Sequence, residues 1–306
     1  MAGRKLSRKK FISTAIAGIA GLRAASVMNF ADTSDTVQLR PLGTTGIRVS
    51  PICFGAPRTN EESLIRYAID KGINYIDTGR SYGNGNNEKL VGRAVSETRN
   101  KIVIQSKQRI DRDALKSGGK GKKGRDELRD LLASGLEASL NAFGTDYLDI
   151  FLYHDASDED LLYHPEVLKF FSEMKASGVI RAHGFSAHND NLNLHERNVR
   201  EGIYDIMMVP FNFKGSFVHS VNGRYSEWDQ KRLVSVLTAA GDKGIGVVAM
   251  KTCSGGKYSP EPGIEPDYRE AVRWVIQQPF ISSAAVAMAN FGQVDEHAVL
   301  LQPATI

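Results

Sequence analysis

The chain has 306 residues, of which 42% are hydrophobic and 24% charged, so it reads as globular and is long enough for one large single-core domain without requiring two. Its formal net charge of +4 comes from the first 30 residues, which hold Arg4, Lys5, Arg8, Lys9, Lys10 and Arg23 and no acid. Without those six the 39 Lys and Arg fall to 33 against 35 Asp and Glu, and a body that is faintly acidic excludes a general attraction to nucleic acid or anionic lipid.

At the N-terminus a basic stretch precedes the apolar run FISTAIAGIAGL at 11–22, too short to span a bilayer but suited to the core of a signal peptide. SRKKF at 7–11 resembles a twin-arginine export signal, with Lys9 where the second arginine stands. The expectation is a signal-like leader over 1–30, either cut after Ala25 or kept as an anchor, that hands the protein to the twin-arginine machinery for a periplasmic or exported location. The alternative is an amphipathic or frayed tail on a cytoplasmic protein. Residues 31–36 read as a polar linker, and 37–306 as the folded domain.

VQLRPLG and IRVSP flank the turn TTG at 44–46, the pattern of a hairpin placed to plug the bottom of whatever follows. From there, strand patterns SPICFG (50–55), INYIDT (73–78), KIVIQS (101–106), DYLDIFLY (146–153), VIRAHGFS (179–186), DIMMVP (205–210), GIGVVAM (244–250) and SAAVAM (283–288) alternate with amphipathic stretches. The stretches lie near 60–71, 87–97, 126–142, 165–177, 190–201, 228–243, 267–278 and 291–301. Strands that each lead into a helix pair in parallel through right-handed crossovers, and eight such units predict a closed (β/α)8 TIM barrel. An open doubly wound sheet is the rival. It lacks its phosphate turn, because Gly83 and Gly85 are followed by Glu88 where a third glycine belongs. SGGKGKKG at 117–124 has no apolar residue and is expected to be a mobile loop.

Cys53 and Cys253 fall on strand ends two strands apart, roughly 10 Å, beyond disulfide reach, so both are expected as free thiols. No cysteine or histidine spacing suits a metal.

Barrel enzymes draw their reacting groups from the C-terminal ends of strands. Asp77 ends strand two, Lys107 strand three and His154 strand four, and Tyr82 follows strand two by a short loop. A phenol serves as acid or base near neutrality when a cation stabilises its phenolate; Lys107 supplies that charge. A lysine in a barrel mouth needs a carboxylate to offset desolvation, and Asp77 is one strand away. Each residue alone has a bland reading as a cap, a half-buried aromatic, a solvated cation or a rim histidine; together they predict one proton-transfer site.

GINYIDTGRSYGNGNNEKLVGRAV at 72–95, IVIQSK at 102–107 and LYH at 152–154 resemble the aldo-keto reductase superfamily. FGTDYLDIFLYHD (143–155), GVIRAHGFSAH (178–188), YDIMMVPFN (204–212) and GIGVVAMK (244–251) extend the likeness over roughly 37–301. The resemblance implies Tyr82 as general acid in carbonyl reduction and base in the reverse, Lys107 lowering its pKa, Asp77 paired with Lys107, and His154 positioning substrate. It implies hydride from a nicotinamide without metal or flavin. Gly79 departs from the family's alanine.

On the cofactor side, Ser186 matches the serine that holds the carboxamide, whereas His188 stands where asparagine is frequent, Met208 where glutamine is usual, and Met250 where an aromatic stacks on the nicotinamide. Met208 and Met250 also suit a barrel core; Met250 can still pack against a ring through its sulfur. Lys251, Thr252 and Ser254 are candidate pyrophosphate contacts. Glu296 matches the acid that contacts adenine and His297 replaces asparagine. Ala287 and Gln293 occupy positions where the family often has cations for a 2′-phosphate, so NADP and NAD both stay open. The basic loop at 117–124 follows strand three on the active-site face, where it either attracts an acidic substrate or is merely solvated.

The expected function is NAD(P)H-dependent reduction of an aldehyde, ketone or sugar-like carbonyl, or oxidation of the alcohol, by a monomer that takes a small-molecule substrate. The alternatives are an exported oxidoreductase with a retained cofactor and a non-catalytic nucleotide-binding barrel.

Overall fold

A computed structural model describes residues 37–302, except 114, 116, 118, 119, 188–190 and 220–222. The expected leader, its linker and His188 lie outside the described residues.

Eight parallel strands close into a barrel: β1 (Ile52–Gly55), β2 (Tyr75–Asp77), β3 (Val103–Arg109), β4 (Leu148–His154), β5 (Ile180–Ser186), β6 (Ile206–Pro210), β7 (Gly246–Met250) and β8 (Ser283–Ala287). Closure runs through β8 and β1, with Ala284 beside Ile52 and Ala287 beside Gly55. After each strand comes a helix: α1 (Glu62–Asp70), α2 (Asn86–Ala94), α3 (Gly121–Phe143), α4 (Pro165–Ala176), α5 (Leu192–Glu201), α6 (Gln230–Asp242), α7 (Tyr268–Ile276) and α8 (Phe291–Ala298).

Strand alternation divides the apolar residues into two cores. Cys53, Tyr75, Val103, Ile150, Leu152, Ala182, Ile206, Met208, Val248 and Met250 point inward and fill the barrel. Residues at the alternate strand positions, among them Phe54, Ile76, Ile104, Phe151, Phe185 and Val247, point outward and pack under helix residues such as Leu128, Leu132, Phe171, Leu237 and Val275. Leu42, Ile47 and Val49 belong to the inner core. They come from a hairpin that pairs Arg40 with Val49, so the hairpin plugs the barrel as its sequence predicts. Its turn closes on β7: Thr44 N–H donates to the Gly244 carbonyl at 2.8 Å. Gly43, at φ +56, approaches so closely that a Cβ there would lie 2.3 Å from that same oxygen.

Two features differ from expectation. The stretch at 117–124 is not wholly a loop, because α3 starts at Gly121. Gly124 is buried, Glu127 accepts from the Ser117 N–H at 3.0 Å and its hydroxyl at 2.6 Å, and the lysines at 122 and 123 lie in the first turn of the helix. A second hairpin, Ser216–Val218 with Tyr225–Glu227, follows β6 on the active-site face. Cys53 and Cys253 are free thiols, as expected.

Candidate active site

Inward-facing positions recur at every second residue, so β2 presents Tyr75 and Asp77, β3 presents Val103, Gln105, Lys107 and Arg109, and β4 presents Ile150, Leu152 and His154. Register then sets neighbours side by side: Asp77 with Gln105, and Arg109 with His154. The Lys107 ammonium is hydrogen-bonded and ion-paired to Asp77 Oδ1. The lysine is 1% exposed and Asp77 4%.

Tyr82 reaches this pair because the loop after β2 is stitched to β3. Thr78 N–H donates to the Gln105 carbonyl at 3.0 Å and Arg80 N–H to the Lys107 carbonyl at 2.9 Å. Lys107 Nζ lies 5.1 Å from the centre of the Tyr82 ring, and the His154 ring meets that ring edge-on at 5.6 Å. Ser81 Oγ is 3.3 Å from His154 Nδ1. The structure thus brings Asp77, Tyr82, Lys107 and His154 together at one barrel mouth.

The loop is clamped from below by Glu88, which is fully buried. It accepts hydrogen bonds from Ser106 and Ser139 at 2.6 Å each, and from Arg80. The guanidinium crosses over Gly85, which sits at φ +83 and where any Cβ would collide with Arg80 Nη2 at 1.8 Å. Gly85 is therefore required both for its backbone angle and for the passage of Arg80.

Burial pushes the Tyr82 phenol above its ordinary value; Lys107 opposes that shift and Asp77 adds to it. The expectation that Lys107 lowers Tyr82 therefore describes one contribution, and desolvation outweighs it. For Lys107 burial acts downward, but Asp77 and Tyr82 together hold it above its ordinary value, so the ammonium stays charged.

Ser186 ends β5 fully buried and accepts the Asp155 N–H at 3.1 Å. Its hydroxyl proton remains to be donated, as a carboxamide contact requires. Asp155 holds φ +56 to make that bond, and its carboxylate pairs with Arg109 at 3.0 Å. Met250 ends β7 inside the barrel, 6% exposed. Lys251 follows at φ +59, its carbonyl accepting from Asn212 Nδ2 at 3.1 Å and its ammonium 5.3 Å from the Phe217 ring centre. Burial, then Arg58, lowers the Lys251 pKa, and Asp155 opposes the shift. Thr252 is buried and Ser254 exposed.

Gln293 is engaged in capping α8: its N–H donates to Asn290 Oδ1 at 2.9 Å, and its Oε1 accepts the Ala289 N–H at 2.7 Å. Glu296 is half-buried. His297 is 3% exposed and its Nδ1 is buried without a hydrogen-bond partner. No group of three or more potential metal ligands occurs among the described residues.

Among the residues that escaped the sequence reading are Gln105, Arg109 and Asp155. The first two share the inward face of β3 with Lys107, so period-two counting from Lys107 finds them; Asp155 depends on a left-handed backbone angle that no motif announces.

A buried Lys–Asp pair thus lies beneath a tyrosine and a histidine at the C-terminal mouth of the barrel, the end from which barrel enzymes draw their reacting groups. The model of the aldo/keto reductase family matches residues 54–272, and the chain belongs to that family. Among curated relatives it is similar to the oxidoreductase YqkF of Bacillus subtilis, 31% identical over 179 residues and 55% of each chain. It is also similar to L-galactose dehydrogenase of Arabidopsis thaliana, 23% identical over 301 residues, 85% of this chain and 87% of that one. The chain spans about half the length of YqkF, the first of these relatives. Among solved structures, the holo form of aldo-keto reductase AKR11C1 from Bacillus halodurans superposes with a TM-score of 0.68 at 20% identity, covering 88% of this chain and 92% of that one. An aldo/keto reductase from Klebsiella pneumoniae in complex with NADP and acetate gives 0.62 at 20%, covering 86% and 89%. Those two show the fold.

Proposed function

We propose that the chain is a nicotinamide-dependent oxidoreductase that reduces the carbonyl of a small aldehyde, ketone or sugar-like molecule, or oxidises the corresponding alcohol, with Tyr82 as general acid and base. The observation that carries this reading is the buried Lys107–Asp77 pair held beneath Tyr82. A structural salt bridge has no reason to sit at a barrel mouth against a half-exposed phenol, whereas a phenol that must give up its proton needs a fixed cation.

When bound, the nicotinamide supplies hydride. Everything else belongs to this chain. Tyr82 donates its hydroxyl proton to the carbonyl oxygen, and Lys107 stabilises the phenolate left behind. Asp77 keeps Lys107 charged and in place. His154, whose Nδ1 faces Ser81 and whose ring meets Tyr82 edge-on, orients the same oxygen. Ser186 would hold the carboxamide, Met250 would pack on the ring, Lys251 with Thr252 and Ser254 would hold the phosphates, and Glu296 with His297 would hold the adenine. The Klebsiella relative's complex with NADP supports a nicotinamide dinucleotide here. Neither NAD nor NADP is favoured, since Ala287 carries no charge and Gln293 is occupied in capping α8.

Titration of the protein with NADPH and with NADH, followed by intrinsic fluorescence, tests the reading. Saturable quenching by at least one is expected; no change up to millimolar concentration refutes it. The twin-arginine-like leader over 1–30 motivates a companion proposal of export with the nucleotide retained, since free nicotinamide is scarce outside the cytoplasm. Fractionation of a tagged chain, and nucleotide release on denaturing the purified protein, decide it.

A further inference from the structure

Below the Lys107–Asp77 pair, the barrel interior contains an amide whose role no part of the proton-transfer site explains. Gln105 sits one inward position beneath Lys107 on β3 and is completely buried, as is Tyr75 beside it on β2. Gln105 Nε2 donates to Asp77 Oδ1 at 2.6 Å and lies 3.4 Å from the Met208 sulfur. Its Oε1 accepts the Tyr75 hydroxyl at 2.6 Å. An apolar residue would fill the same space at lower desolvation cost. The amide is instead fully satisfied, and one of its bonds ends on the very carboxylate oxygen that holds Lys107.

The shape of an amide does not distinguish its two ends; its partners do. Burial holds the Tyr75 phenol well above its ordinary value, so it remains a donor and only Oε1 can meet it. That forces Nε2 toward Asp77.

Resting on the reading of Tyr82 as general acid and base, we propose that Gln105, oriented by Tyr75, is a positioning residue of the proton-transfer site, sharing Asp77 Oδ1 with Lys107 so that the ammonium charge stays available to Tyr82. A carboxylate oxygen with two donors draws less strongly on each. Without Gln105, Asp77 binds Lys107 as its sole strong donor and the phenolate of Tyr82 loses stabilisation.

The other groups around the site leave this coupling distinct. Tyr82 is faced by Lys107 from β3, Asp77 from β2, His154 from β4 and Asp155 from the loop after β4. Cys53 on β1 adjoins Asp77 and Lys107, but burial holds its thiol well above its ordinary value, so it stays neutral. Asp155 is paired with Arg109. Among the hydrogen bonds of the described residues, Tyr75 connects to the pair through Gln105, which makes it the cleaner probe.

The test uses full-length protein and the substitutions Gln105→Met and Tyr75→Phe. Tyr82 ionisation is followed by ultraviolet phenolate absorbance, as the difference between each protein and the same protein carrying Tyr82→Phe, and the pH profile of kcat/KM for reduction of an aromatic aldehyde is recorded in parallel. Both substitutions are expected to move the Tyr82 titration to higher pH, Gln105→Met by about one unit and Tyr75→Phe by less, with the alkaline limb of reduction moving alike. A titration unmoved in both, or moved downward, overturns the proposal, as does a rate lowered equally at every pH, which marks a merely structural amide. If Gln105→Met fails to fold, Tyr75→Phe carries the same two outcomes. A shifted titration without aldehyde turnover by the unsubstituted protein upholds the coupling and refutes the reductase reading.

Discussion

Lys107 on β3 and Asp77 on β2 form an ion pair whose side chains are 1% and 6% exposed, the most enclosed pair of opposite charges in the barrel mouth. Removing one partner leaves the other buried and uncompensated, which typically costs about 3–5 kcal/mol, whereas removing both costs less. Asp77→Asn and Lys107→Met are therefore each expected to lower the urea midpoint clearly, and the double variant to recover part of that loss. Additive losses contradict the pairing.

Gly79 stands where the family resemblance places alanine. A Cβ there meets Lys107 Cε and Tyr82 Cε2 at 3.5 Å, ordinary contact distances. Gly79→Ala should therefore raise stability by about 0.4–1 kcal/mol by restricting the unfolded chain, with catalysis unharmed. Calorimetry showing a lower Tm refutes this.

Arg80 ties the Tyr82 loop to buried Glu88. Replacing it by Met leaves that carboxylate to Ser106 and Ser139 alone and frees the loop. A shift of about 1 Å in a reacting group can cost on the order of a hundredfold, so Arg80→Met should lower kcat about ten- to a hundredfold and change KM less. Unchanged kcat means the clamp does not position Tyr82.

His195 on α5 is 2% exposed and stacked on Phe185 at 5.2 Å. Burial lowers its pKa from 6.5 to about 4, and Glu196 opposes the shift only weakly. The unfolded chain thus binds a proton that the folded one refuses. Stability is full above about pH 6.5, falls as pH drops, and levels off below about pH 4, a loss on the order of 3 kcal/mol. His183, lowered to about 4 by burial, acts in the same sense. Urea midpoints between pH 7 and 4 should fall less steeply in His195→Phe; identical slopes contradict the assignment.

Barrel, plug and the four mouth residues were legible in the sequence because each rests on local rules. Alternation placed Lys107 and His154 on strand ends, and the TTG turn between VQLRPLG and IRVSP located the plug. What stayed hidden depends on contacts between distant segments. The first turn of α3 over 121–124 forms despite the weak helix propensity of its glycines, between Ser117 and Glu127, which are hydrogen-bonded to each other. The hairpin after β6 joins two three-residue strands, too short for a period to register. Gln105 reads as an ordinary polar strand residue until Tyr75 and Asp77 are seen on either side of it.

The direction of Tyr82's shift also fixes a pH dependence. Because burial raises its pKa, the phenol is protonated throughout the neutral range. Reduction should hold steady there and fall only as pH rises through that value, while alcohol oxidation, which needs the phenolate, should climb toward alkaline pH. Initial rates in both directions from pH 6 to 10.5 check this; a reduction rate that falls below pH 8 contradicts it.

The most direct measurement compares Tyr82→Phe with the unsubstituted protein in two assays on one preparation, nicotinamide dinucleotide binding by fluorescence and reduction of an aromatic aldehyde. General acid catalysis is typically worth about 10²–10⁴ in rate. The Kd should stay within a few-fold while kcat falls by at least about a hundredfold. Undiminished turnover by Tyr82→Phe would contradict the account.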